Sequence, residues 1–127
     1  KPTNRYFNYI YVRMGAHTLI HKRTEDDIWK NLFELPLVET EKDLSEEEFL
    51  ACPQFHALFA EGEVRMVRTL LRGGKHVLSH RVIYTNFYEV TLPDNSSSFS
   101  SYQRVAVEDL GRYAVPRLIH AFLEKYV

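Results

Sequence analysis

Residues 5–14, RYFNYIYVRM, are dense in aromatic and β-branched side chains, and Ile10, Val12 and Met14 share one parity. A period of two over such residues predicts a strand. Gly15 permits a turn and HTLIHKR (17–23) predicts the returning strand, so the two are expected to form a hairpin. In TEDDIWKNLFELPLVET (24–40), Trp29, Leu32, Phe33 and Leu35 are apolar, but Pro36 forbids a long helix. A structured loop and then a short strand near 33–38 are expected there. SEEEFLACPQFHALFA (45–60) carries the clearest helix start: Ser45 suits an N-cap, and Glu48 three residues later completes a capping box. Pro53 predicts a split into two short helices.

The second half of the chain reads as mostly strand. EVRMVRTLLR (63–72) alternates, and Gly73-Gly74 after it predicts a turn. HRVIYTNFYEVTL (80–92) has Val82, Tyr84, Tyr88 and Val90 on one parity and Ile83 and Phe87 on the other, as in a strand buried on both faces. PDNSSSFSS (93–101) predicts a polar, flexible loop, and YQRVAV (102–107) a last strand. PRLIHAFLEKY (116–126) predicts a closing helix with Pro116 in its first turn and Leu118, Ile119, Phe122, Leu123 and Tyr126 on one face. The order predicts an α+β domain whose mixed sheet is sandwiched by helices.

With 127 residues, 45% of them hydrophobic, the chain suits one domain spanning 1–127 with a substantial core. Its opening, KPTNRYFNY, reads as a domain of a longer protein entered through a linker at residues 1–4. The single Cys52 excludes an internal disulfide and an all-cysteine metal site within this chain. With no apolar run long enough to span a bilayer and no signal peptide, a cytoplasmic location away from membranes is expected.

The net charge of −1 hides a polarised distribution. Residues 25–48 hold ten acids against Lys30 and Lys42, while residues 62–82 hold Arg65, Arg68, Arg72, Lys75 and Arg81 against Glu63 alone. Such a local basic patch can steer an anionic partner.

Several chemistries can be weighed on these residues. His17-x3-His21 and His76-x3-His80 pair histidines of like parity, but nothing nearby supplies a third zinc ligand, so solvent-facing histidines and no metal are expected. The element order resembles that of the Nudix (MutT-like) hydrolases. Their magnesium motif needs a Gly, a spaced Glu, then Arg-Glu and Glu-Glu pairs on one helix. The matching stretch, LFELPLVETEKDLSEEEFLACPQF, has neither the Gly nor the Arg-Glu, and Glu46, Glu47 and Glu48 are consecutive, so they fan out around a helix. Ser79 and His80 are adjacent and point apart on a strand, with no G-x-S-x-G elbow, so no catalytic dyad is expected. Ser79 is left as a strand-end serine or a recognition residue. Arg72, Lys75, His76, His80 and Arg81 around it favour close approach to a phosphate backbone.

Three segments resemble the C-terminal domain of the MutY adenine DNA glycosylases. HKRTEDDIWKNLFELPLVE (21–39) is similar to that family's Lys-Arg … Ile-Trp … Leu-Trp-Glu-Phe-Pro segment, with Phe33 and Leu35 as departures. KHVLSHRVIY (75–84) resembles its His … Phe-Ser-His loop, with Leu78 in place of Phe. VAVEDLGRYAVPRLIHAFL (105–123) resembles its closing segment.

The resemblance implies a MutT-like fold without hydrolase chemistry and without catalytic residues or cofactor of its own. It implies a monomeric base-excision-repair domain of the bacterial cytoplasm that recognises 8-oxoguanine opposite adenine in double-stranded DNA. Its partner on the same polypeptide would be an N-terminal glycosylase domain with a 4Fe-4S cluster, which removes the adenine. Leu78, Ser79 and His80 match the lesion-reading loop, and Arg72, Lys75, His76 and Arg81 are expected on the DNA backbone. A Nudix-type nucleoside diphosphate pyrophosphohydrolase and a protein-interaction module on the same fold are the alternatives.

Overall fold

A computed structural model describes residues 3–127. The linker expected at residues 1–4 falls partly on Lys1 and Pro2, outside the described residues, while Thr3 and Asn4 already belong to the first strand. Among the described residues, seven strands form two sheets. β1 (Thr3–Arg13), β4 (Leu37–Thr40), β5 (Met66–Val77) and β6 (Arg81–Thr91) make a four-stranded sheet in the order β4-β1-β6-β5. β1 and β6 run parallel at its centre, and the other pairings are antiparallel. β2 (His17–Lys22), β3 (Phe33–Glu34) and β7 (Gln103–Ala106) form a smaller antiparallel sheet, in the order β3-β2-β7.

Because β1 and β6 are central, each is buried on both faces, and parity sorts their side chains between two cores. Phe7, Tyr9 and Tyr11 of β1 join Ile83 and Phe87 of β6 beneath α3 (Arg117–Tyr126). Ile10 and Val12 join Tyr88 and Val90 beneath α1 (Glu46–Ala51) and α2 (Pro53–His56). Helix α3 is fixed by a run of stacked rings: Tyr9 on Phe87 at 5.3 Å between centroids, Phe87 on Phe122 at 4.1 Å, and Phe122 on Tyr126 at 5.2 Å. Each fully buried large apolar side chain contributes about 1.5–3 kcal/mol. No helix among the described residues is long and apolar enough to cross a membrane.

The capping box forms as the sequence predicts: the Glu48 N–H donates to Ser45 Oγ, and the Ser45 N–H donates to Glu48 Oε1. Pro53 divides α1 from α2.

Four expectations are corrected. The first two strands are not a hairpin: one bridge joins Met14 to His17, after which β1 and β2 lie in different sheets. The hydrogen-bonded neighbours of β1 are instead β4 and β6, which come later in the chain. The short strand near 33–38 is two strands in two sheets, separated at Leu35-Pro36. The 93–101 loop is held rather than loose, since the Glu63 carboxylate accepts from Ser96, Ser97 and Ser98.

Gly73-Gly74 is not a turn, because β5 runs through it to Val77 with its register against β6 shifted between Leu71 and Gly74. This is a bulge, with Gly73 in the left-handed region at φ +73. The Gly73 N–H donates to Asn86 Oδ1 at 2.9 Å, and Asn86 is anchored in turn to Asn8 and Asp43.

Candidate nucleic-acid interface

Past the bulge, β5 and β6 continue together as an arm flanked on its β6 side by the start of β1, with Lys75 opposite Tyr84, His76 opposite Ile83 and Val77 opposite Val82. The Leu78 N–H donates to the Arg81 carbonyl at 2.8 Å and closes the arm, so Leu78, Ser79 and His80 form its tip. Leu78 is half-buried against the first core, whereas Ser79 and His80 are exposed. The His80 carbonyl accepts from the Thr3 N–H at 3.0 Å, tethering the tip to the start of β1. Val77, beside the tip, is 66% exposed. Its place in an alternating strand gives no sequence signal of that exposure.

The loop before β3 braces the arm. Trp29, with φ +59, sets its ring edge against both Phe7 and His76, at centroid distances of 6.0 and 6.2 Å. The Ile-Trp segment and the Ser-His loop, far apart in sequence, are thereby in contact.

The seven expected interface residues do not all meet. Lys75, His76, Leu78, Ser79 and His80 gather on the end of the arm. Arg81 adjoins the tip, where its carbonyl closes the turn, and borders a wide depression shared with Glu25, Asp26, Glu39 and Glu41. Arg72 lies before the bulge and is engaged inward. It donates to the Tyr88 hydroxyl at 2.7 Å and the Leu44 carbonyl at 2.9 Å, with Asp43 at 3.8 Å. Burial also raises the Tyr88 phenol pKa, with the nearby Arg72 opposing it. Arg72 therefore supports the second core instead of the tip.

The acidic helix does not converge on a cation. Glu46 accepts from the Thr69 hydroxyl, and Glu48 closes the cap, where the Ser45 N–H holds its carboxyl below the usual range. Among the described residues no group of three or more His, Cys, Asp or Glu is placed to hold a metal ion. The carboxylates of α1 thus do not fit the magnesium set of a Nudix hydrolase.

A second polar cluster escaped the sequence reading. Buried Glu34 accepts from Arg23 at 3.0 and 3.1 Å and from the Tyr9 hydroxyl at 3.0 Å. His21 Nε2 approaches it to 3.0 Å without hydrogen-bond alignment. Arg23 and Arg5 share Asp27, and Arg5 also forks onto Glu39. The Arg5 hydrogen bonds lower the Asp27 pKa to about 2, while Glu39 and then Asp27 raise that of Arg5. Burial, and then Glu34, push the Tyr9 phenol well up. His21, Arg23, Asp27, Glu34 and Glu39 border a cavity of about 300 Å³. Apart from His21 Nε2, their donors and acceptors are matched to one another, so the cluster ties the 23–39 segment to β1. Its only sequence signal is a Glu between apolar Phe33 and Leu35.

A mixed sheet flanked by helices, with a short acidic helix on one face and the β5–β6 hairpin at one end of the sheet, defines a MutT-like α+β protein. The chain belongs to the NUDIX domain family, whose pattern matches residues 8–125. A search among curated proteins finds no match.

Three solved structures share the fold. The C-terminal domain of mouse MUTYH, determined in complex with human PCNA, has a TM-score of 0.68 at 13% identity, covering 96% of this chain and 86% of that one. The E. coli ORF135 protein has a TM-score of 0.65 at 16% identity, covering 97% and 88%. The MutT protein from Methanosarcina mazei Go1 has a TM-score of 0.61 at 17% identity, covering 98% and 94%.

Proposed function

We propose that the chain is the lesion-recognition domain of a MutY-type adenine DNA glycosylase, reading 8-oxoguanine opposite adenine with the tip of the β5–β6 arm. The observation that carries this reading is the tip itself: Ser79 and His80 stand exposed on an arm that Trp29 and the Thr3 N–H hold in place. Oxidation turns guanine N7 from an acceptor into an N–H donor and adds a carbonyl at C8. A serine hydroxyl both accepts and donates, so Ser79 can take the new N–H, where an arginine built to read normal guanine meets the wrong pattern. Excision of the adenine would fall to a catalytic domain on the same polypeptide, with its own 4Fe-4S cluster.

The competing reading, a nucleoside diphosphate pyrophosphohydrolase, has the fold in its favour through the MutT structures. Against it stands the engagement of Glu46 and Glu48 within the protein. Magnesium-dependent release of pyrophosphate from 8-oxo-dGTP is expected to be absent, and release at ordinary enzymatic rates would replace the first reading with the second.

The direct test is Ser79→Ala. Duplexes containing 8-oxoguanine:adenine and guanine:adenine are titrated against wild type and variant, with thermal melting as the control. A neutral hydrogen bond nets about 0.5–1.5 kcal/mol, which converts to a loss of lesion preference of about 2- to 12-fold. Equal weakening for both duplexes would make Ser79 a phosphate contact, and no change would return it to a strand-end serine.

A further inference from the structure

Among the described residues, some cations of this protein are paired with carboxylates and others are not. Arg5, Arg13, Arg23, Arg68, Arg72 and Arg112 each have a carboxylate within 4.0 Å. Lys75, Arg117 and Lys125 have no such partner among the described residues, and with His76 they line one cleft of about 350 Å³ between the β5–β6 arm and α3. No acidic residue lines it, and Phe87 and Phe122 contribute to its apolar floor. The only acid of α3, Glu124, pairs with His120 at 3.1 Å.

Arg117, Ala121 and Lys125 follow one another at intervals of four residues along α3 and all border the cleft. At 1.5 Å per residue the two charges are about 12 Å apart along the axis. Both charges can therefore face phosphates of one strand, whose axial rise is about 3.4 Å per nucleotide. Ala121 between them keeps the passage open. Lys75 lies on β5 two residues before the strand ends at Val77, beside the tip that carries Ser79.

We propose that this cleft carries the sugar–phosphate backbone of the duplex whose lesion the tip reads, with Lys75, Arg117 and Lys125 on phosphates and the apolar floor under the deoxyribose faces. The inference rests on the lesion-recognition reading given above. An acidic peptide with an apolar anchor has similar chemistry, but the continuity of the cleft with the arm and the spacing of Arg117 and Lys125 favour a nucleic-acid strand. Nothing in the sequence marks these two residues, since a basic residue at each end of a closing helix is common.

The experiment measures the affinity of the whole chain for an 8-oxoguanine:adenine duplex and a guanine:adenine duplex across a salt series. It compares wild type with Lys75→Ala, Arg117→Ala, Lys125→Ala and the control Arg13→Ala. Each of the first three is expected to lower the log–log salt slope by about 0.9 for both duplexes, and the control to leave it unchanged. Arg117→Gln and Lys125→Gln, with thermal melting, separate loss of charge from loss of fold. Unchanged slopes in the Arg117 and Lys125 variants, with lesion preference intact in wild type, would overturn the cleft and leave the recognition reading standing. Reduced slopes with no lesion preference in wild type would do the reverse. Binding of a fluorescein-labelled Glu-Asp-Leu-Phe-Glu-Glu peptide that both variants abolish, with no duplex binding, would overturn both in favour of a protein partner.

Discussion

At the scale of single residues, Gly74 constrains the arm most tightly. A Cβ there would lie 2.5 Å from Thr85 Oγ1, and Thr85 is buried. Gly74→Ala must displace Thr85 or the strand, and overpacking of this kind costs about 1–3 kcal/mol. A lower melting temperature is the expected result, whereas Gly111→Ala, with nothing near its added methyl, serves as the tolerant control. Asp27 gives a pH-dependent counterpart. Its pKa of about 2 in the fold lies below the ordinary value of about 4, so folding favours the ionised form. That stabilisation is fully present above about pH 4 and is lost as pH falls towards 2. Melting temperature followed from pH 5 to pH 2 is expected to fall less steeply in Asp27→Asn than in wild type.

Residue chemistry was legible from the sequence where both partners were local. Ser45 and Glu48 lie three residues apart and form the predicted cap. The inward hydrogen bonds of Arg72 were not legible because its acceptors, the Leu44 carbonyl and the Tyr88 hydroxyl, come from segments 28 and 16 residues away. The same holds for the Glu34 cluster, whose burial depends on β1 and the 23–27 loop closing over it.

At the scale of elements, Gly-Gly is a signal shared by turns and bulges, and the choice between them is made by Asn86 on the neighbouring strand. A turn there would have left residues 75–77 outside the sheet, whereas the bulge extends β5 into an arm that ends at Ser79. Gly15 did mark a reversal, but β1 needed partners on both sides that only the later chain supplies. The serine loop was misread for a related reason, since its composition suits disorder but one distant carboxylate collects its donors. The Ser96 and Ser98 hydroxyls and the Ser97 N–H lower the Glu63 pKa to about 2. Glu63→Ala is expected to free the 94–100 segment. Limited proteolysis should then cut there several-fold faster than in wild type, with cutting elsewhere unchanged.

At the scale of the whole molecule, the fold class was legible because it follows from element order and from the two-faced burial of β6. The pairing of sheets was not, because it depends on contacts between distant segments. Charge has the same character: acids of the 25–48 stretch border the depression beside Arg5 or sit on α1, while Lys75, Arg117 and Lys125 share a cleft that no acid lines. Raising salt from 50 to 200 mM is expected to weaken duplex binding several-fold or more while leaving the melting temperature nearly unchanged, because the internal ion pairs are partly buried and screened less.

The parallel pairing of β1 with β6 has a consequence for how the protein is made. Each β1 residue meets a partner 78 positions later, from Thr3 with Arg81 to Arg13 with Thr91. On a ribosome adding roughly 5–20 residues per second, the first strand is finished several seconds before its central neighbour has been polymerised. Through that interval Phe7, Tyr9, Ile10 and Val12, all of which end fully buried, have only the short β4 to pair beside. The nascent chain therefore carries an exposed aromatic strand until Thr91 emerges, and a chaperone that holds such strands should raise the soluble yield of newly made protein more than it speeds the refolding of the finished chain.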